Sequence, residues 1–238
     1  MQFAASKVND GSGRVSATVG AITRLMRTND LGPGDRLPSE AALSRDLNVS
    51  RTVIREAFRS LAAMRLIELS VGKRATVAEL DYAALSPLIE HGVHTEQISI
   101  QQVYDVRRTI EQRTATLAAL RRSDDQGREI LDHAEAMRAN PDAQELVMEH
   151  DLGFHMAIAK AARNPVFTLI VGAFEGVTRQ TWPIGWRSRK DREEQLFMLD
   201  LHVNIATAIV AGNPQAASEN MALHFDESVR AIVAAGIA

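Results

Sequence analysis

Two groups of residues have types and spacings suited to chemistry. The first is Ser50-Arg51-Thr52-x-x-Arg55. Arg51 and Arg55 stand four apart, so on a helix they share one face, away from an apolar stripe of Val53, Ile54, Ala57, Phe58 and Leu61. An arginine fork matches the O6 and N7 acceptors of guanine in the DNA major groove, a pairing worth about 1–3 kcal/mol of discrimination. The hydroxyls of Ser50 and Thr52, with the free amides of a helix start, suit phosphate oxygens. The second group is Asp151-x-x-x-His155, again four apart, with His202 and His224 on later segments among Leu201, Ile205, Leu223 and Phe225. Three imidazoles and a carboxylate suit a borderline divalent ion, Zn²⁺ first, then Ni²⁺, Fe²⁺ or Mn²⁺. Spacing alone does not bring His202 and His224 to the other two; only a fold can.

The elements that must position the first group are short. Val15, Val19, Ile22, Leu25 and Met26 recur at helical spacing up to Thr28, and Gly32-Pro33-Gly34 ends that helix. Pro38-Ser39-Glu40 reads as a second start, with Ser39 able to accept from free amides and Ala42, Leu43 and Leu47 forming the inner face. Asn48-Val49 breaks it and Ser50 caps the helix that carries the arginines. After Met64 two β-prone runs, Leu66 to Leu69 and Ala75 to Val77, flank a turn with Lys73 and Arg74 at its tip. Three helices and a hairpin make a winged helix-turn-helix over residues 14–80, preceded by a polar tail at 1–13.

The second group sits in a stretch with almost nothing strand-like. Residues 81–97 read as a linker with a short helix. Helical patterns follow over Ile100–Arg121, Asp124–Ala139, Ala143–Ala162, Pro165 to Val177, Arg192–Val210 and Pro214–Val233, with Trp182–Lys190 as a loop. Six long helices on short connections predict an all-α antiparallel bundle over 98–238, so the fold class is mainly α. Trp182 and Trp186 either wall a pocket or complete the core, the core being favoured. The basic run Arg187, Arg189, Lys190 and Arg192 reads as a solvated loop.

Composition narrows the classes further. The chain has 238 residues, 45% hydrophobic and 24% charged, with no cysteine, which excludes disulfides and thiolate metal sites. No apolar run approaches the roughly 20 residues of a membrane span, and the first residues lack the apolar core of a secretory signal. A soluble cytoplasmic protein is the expectation. The net charge of −3 divides into +4 over residues 1–80 and −7 over the rest, a basic module on an acidic remainder.

The motif Gly34-x-Arg36-Leu37-Pro38-Ser39-Glu40, followed by Leu43 and Asn48-Val49-Ser50-Arg51-Thr52-x-x-Arg55-Glu56-Ala57, resembles the DNA-binding domain of the GntR family of bacterial transcriptional regulators. The resemblance covers about residues 15–78. It implies that Arg51 and Arg55 read bases and that Arg36 and Arg45 lie near the backbone; Ser39, Ser50, Thr52 and Lys73 complete the expected DNA-facing set. Ala41 stands where many relatives carry a further DNA-contacting arginine, and Arg74 replaces the second glycine of the wing turn. Tyr104-Asp105-Val106-Arg107-Arg108-x-x-Glu111, Asp151-x-x-x-His155, Ala161-x-x-Asn164-Pro165, His202 and His224 are similar to the FCD effector domain of the FadR subfamily, over roughly residues 83–233. That resemblance implies a divalent metal on Asp151, His155, His202 and His224, a dimeric assembly, and Arg107 as a holder of an acidic effector; Trp182, if it walls the pocket, is the further candidate for effector contact. Read from spacing alone, Arg107 is equally an intrahelical partner of Glu111.

The expected function is therefore a sequence-specific repressor that binds a pseudo-palindromic double-stranded DNA operator as a homodimer. It would control a catabolic operon and answer to a small carboxylate effector. The alternative is a metal-dependent hydrolase built on the bundle, since three histidines and an aspartate can activate water. Against it, the chain has no His-Glu-x-x-His run.

Overall fold

The computed structural model describes residues 10–189 and 191–236. Contacts divide the chain into two units, Met1–Ala84 and Leu85–Ala238.

The first unit holds helices α1 (Asp10–Thr28), α2 (Glu40–Asp46) and α3 (Arg51–Ala63), then strands β1 (Ile67–Glu68) and β2 (Thr76–Val77). The segment expected as a tail is helical from Asp10, and residues 1–9 lie outside the described residues. Ser39 caps α2 by accepting from the Ala42 amide at 3.2 Å, and Ser50 caps α3 by accepting from Val53 at 3.3 Å. Between them Asn48 takes a left-handed conformation (φ 51°), which ends α2 and lets the chain reverse. Ile22, Leu37, Leu43, Ile54 and Leu61 are fully buried where the three helices meet. The hairpin is shorter than its β-prone runs, two residues per strand. Its second strand has another neighbour: the Leu37 amide donates to Ala75 and the Val77 amide to Asp35, so the chain entering α2 pairs with the wing. That pairing is between segments forty residues apart, which no local pattern reveals.

The second unit contains α4 (Ser86–His94), α5 (Ile100–Arg121), α6 (Asp124–Ala139), α7 (Gln144–Ala161), α8 (Pro165–Ala173), α9 (Glu175–Ser188), α10 (Arg192–Val210) and α11 (Pro214–Ala234). Ser99 and Ser123 open α5 and α6 through reciprocal caps with Gln102 and Gln126; Asn164, Asp191 and Asn213 cap α8, α10 and α11. The core runs along the contacts of α5, α6, α7, α10 and α11 and includes Phe154, Ile158, Leu199, Ile205, Met221 and Phe225.

Two expectations are corrected here. The helix predicted from Pro165 to Val177 divides at Phe174, and α5 to α11 make seven helices rather than six. The segment Trp182–Lys190 is helical through Ser188, with Pro183 inside α9, and Lys190 lies outside the described residues. Proline and glycine argued for a loop, but Trp182 and Trp186 stand one turn apart and stack with ring centroids 5.1 Å apart. Burying that pair against the bundle outweighs the cost of a proline within a helix.

Candidate metal centre and nucleic-acid interface

The four expected ligands arrive from three helices. Asp151 and His155 lie one turn apart on α7, His202 comes from α10 and His224 from α11. All four are buried, at 2–5% exposure, and one ligand atom from each falls within 4.8 Å of all the others. Metal bonds of about 2.1 Å place ligand atoms roughly 3 to 4 Å apart, so the cluster needs only a slight contraction to hold an ion.

The hydrogen bonds around the cluster fix the rings. His202 Nδ1 faces the Met198 carbonyl at 2.8 Å, an acceptor only, so Nδ1 carries the proton. In the neutral ring Nε2 then presents a lone pair to Asp151 Oδ1, another acceptor, 2.8 Å away. A cation shared by the two atoms removes that conflict. His155 Nδ1 abuts Glu111 Oε2 on α5, which leaves its Nε2 buried with no hydrogen-bond partner, and His224 Nδ1 is buried without one as well. Orphaned buried nitrogens are costly unless a ligand satisfies them.

Electrostatics point the same way. Burial raises the Asp151 pKa, but the His202 hydrogen bond and the charges of His155, His202 and His224 together hold it well below the usual carboxylate range. Burial, reinforced by His202 and His155, holds His224 well below its ordinary value. An ionised aspartate and a neutral imidazole are the states metal ligation requires. The residues fit a divalent ion.

Glu111, which the sequence offers only as a helical partner of Arg107, also reaches the ligand cluster. It is 1% exposed and accepts from Arg107 Nε at 2.8 Å with one oxygen while the other meets His155. A carboxylate behind a ligating histidine sets its tautomer and raises its basicity. The signal was its place one turn after Arg107; only the packing of α5 on α7 shows that it also reaches His155. Arg107 is itself buried beside the cluster. It pairs with Glu111, and it lines the cavity beside the cluster, where its Nη1 donates to Thr178 Oγ1 at 2.8 Å. That cavity, about 40 Å³, is also lined by Tyr104, Trp182, Trp186, Arg189 and Ser228. Both tryptophans thus pack on the core and wall the cavity. The basic run is not uniformly solvated: Arg187 is exposed and Arg192 pairs with Asp142 at 2.7 Å, but Arg189 turns inward.

On the first unit Arg36, Ser39, Arg45, Ser50, Arg51, Thr52, Arg55 and Lys73 are all exposed. Ser39 and Ser50 spend their oxygens as caps, and their hydroxyl protons remain available to an acceptor. Arg55 is not free: its Nε donates to Glu40 Oε2 at 2.8 Å, which fixes the side chain across the α2–α3 turn. Lys73 is at the wing tip next to Gly72, which has φ 72°. Arg74 leaves the tip and donates through Nε to the Leu37 carbonyl at 2.8 Å, pinning the wing to the entry of α2.

Known proteins resemble this chain in both units. The family described as "Bacterial regulatory proteins, gntR family" matches residues 15–77, and the FCD domain matches residues 102–227, more than half of the chain. The chain belongs to the GntR family, FadR subfamily. Among its relatives are the HTH-type transcriptional regulator LutR of Bacillus subtilis and the galactonate operon transcriptional repressor of Escherichia coli. LutR is 28% identical over 84% of this chain and 92% of the relative; the galactonate repressor is 32% identical over 65% and 69%. A solved structure titled Streptococcus agalactiae GntR matches with a TM-score of 0.66 at 25% identity, covering 91% of this chain and 98% of that one. This GntR-family chain is a transcriptional regulator with an effector domain, not an enzyme, which disposes of the hydrolase alternative. Among the described residues, no helix is long and apolar enough to cross a membrane.

Proposed function

We propose that this regulator represses a catabolic operon by binding a pseudo-palindromic operator as a homodimer. A small carboxylate acid, taken up at a divalent metal on Asp151, His155, His202 and His224, releases it. The observation that carries the proposal is the buried convergence of these four ligands, with two unsatisfied imidazole nitrogens, beside a cavity that Arg107 also lines. A bound ion would supply a positive centre for the acid's carboxylate. Zn²⁺ suits the donor set best, with Ni²⁺, Fe²⁺ or Mn²⁺ as alternatives. Glu111 holds the His155 ring; Asp151 and His202 meet at the centre of the site; Thr178 and Arg107 supply polar contacts at its edge.

Arg51 and Arg55 read bases, while Ser39, Ser50, Thr52, Arg36, Arg45 and Lys73 position the phosphates. The galactonate repressor, by its name, represses an operon named for an organic acid, which supports the effector class. Coupling follows from linkage: the acid releases DNA only to the extent that it binds the DNA-incompetent state more tightly. A cytosolic location goes with this role. The test is metal analysis of the purified chain, followed by a thermal-shift screen of organic acids with and without chelator. The reading expects one ion per chain and acid-induced stabilisation that chelation abolishes. Stabilisation that survives chelation would refute it.

A further inference from the structure

Arg189 follows the last turn of α9 and turns inward. Its Nη1 donates to the Gly185 carbonyl at 2.8 Å, and its guanidinium lies over the Trp186 ring, 5.6 Å from the centroid. It lines the same cavity as Asp151, His202 and His224. Several other arginines of this unit are matched by carboxylates: Arg107 by Glu111, Arg108 by Asp226, Arg179 by Glu149 and Arg192 by Asp142; those without one, such as Arg113 and Arg187, are exposed. Among the described residues no carboxylate oxygen lies within 4.0 Å of Arg189. Arg189 is half-buried, and Asp151, Glu194 and Glu227 act on it only from beyond contact distance, so its guanidinium fork is open to an anion that comes from outside.

The charges and the space specify that anion. With a divalent ion, Asp151 leaves one positive charge at the centre; the Arg107–Glu111 pair cancels, Glu227 near Arg189 is paired with Arg230, Glu194 has a partner of its own, and Arg189 adds a second positive charge. The inner cavity of about 40 Å³ has room for only a few water-sized groups. Arg189 and Met198 line both this cavity and an outer groove of about 1160 Å³, so Arg189 stands where the two adjoin. We infer that the effector is a short dicarboxylic acid, one carboxylate directed to the metal centre and the other held by Arg189 at the mouth of the cavity. A monocarboxylate leaves the second charge unanswered. The guanidinium fork takes a carboxylate with two hydrogen bonds, which a hydroxyl does not equal.

The inference rests on the metal-and-acid reading above, and calorimetry on the full-length Zn²⁺-loaded chain separates the two. Succinate, butyrate and gluconate serve as a dicarboxylate, a monocarboxylate of the same carbon count and a polyol monocarboxylate. Succinate is expected to bind at least about tenfold more tightly than butyrate. Arg189→Ala should weaken succinate by about tenfold to a hundredfold while leaving butyrate within about twofold, and Arg189→Lys should recover part of the loss. Zinc content and melting of the metal-loaded variants should match the parent chain. Metal-dependent binding without a preference for succinate, or tightest binding by gluconate, overturns the inference and leaves the metal reading intact. So does a loss on Arg189→Ala that is equal for all three acids or absent. Failure of all three acids to bind in a metal-dependent way overturns both.

Discussion

Replacing Glu111 with glutamine preserves its shape and removes the charge on which two buried neighbours depend. Glu111 is 1% exposed and Arg107 4%, their contact is 2.8 Å, and the second carboxylate oxygen abuts His155. Burial alone would raise the Glu111 pKa, but Arg107 and then His155 outweigh it and keep the group ionised. Breaking a buried ion pair from one side costs about 3–5 kcal/mol, because the surviving charge is left without compensation. Glutamine retains hydrogen-bonding capacity, so about 3 kcal/mol is expected. For a unit of this size that is about 6–12 °C in melting temperature. The same change loosens His155, and loss of the carboxylate behind a ligating histidine lowers metal affinity about 10–100-fold. Calorimetric melting of the metal-free chain reads the first effect and competition with a zinc chelator the second. The double replacement Arg107→Met with Glu111→Leu should restore much of the stability but not the metal affinity. Melting within about 2 °C of the parent chain, together with zinc affinity within about twofold, would refute the proposed Arg107–Glu111–His155 chain.

Other consequences are equally open to measurement. Replacing Arg51 and Arg55 together by alanine should cost about 2–6 kcal/mol of operator binding and flatten sequence preference, whereas Lys73→Ala should weaken all sequences alike and reduce the salt slope by about one. Arg74→Ala should raise wing mobility in hydrogen exchange, because it removes the tether to the Leu37 carbonyl. Asp151→Ala should abolish stoichiometric metal binding and, with it, the chelator sensitivity of melting. His133, whose Nδ1 lies 3.0 Å from that of His150, is held below its ordinary pKa first by burial and then by His150. The unfolded chain therefore binds more protons there. Its contribution is present in full above about pH 6.5 and declines as pH falls toward its folded pKa, so His133→Gln should flatten the acid side of the metal-free stability profile.

What was legible in the sequence was local. Capping serines, the apolar stripe of α3 and the four-residue spacings of Asp151/His155 and Arg107/Glu111 are written within one or two helical turns, and each appears in the fold. The parts that were not legible depend on contacts between distant segments. Glu111 meets His155 only because α5 packs on α7, and Leu37 pairs with the wing across forty residues. The α9 segment misled because proline and glycine content speaks for a loop, while the decisive quantity, burial of Trp182 and Trp186 against the bundle, is tertiary. Arg189 was grouped with its basic neighbours for the same reason: charge is read from the sequence, direction is not.

The account stands on coupling between the buried ligand cluster and DNA. Its most direct test is fluorescence anisotropy of the zinc-loaded regulator on a duplex it selects from a randomised pool, titrated with the acid that gives the largest metal-dependent thermal shift. Saturating acid should weaken operator binding by at least about fivefold, the low end of ordinary allosteric coupling, with the effect lost on chelation and in Asp151→Ala. Operator affinity that is indifferent to the acid, or that responds equally without metal, would contradict it.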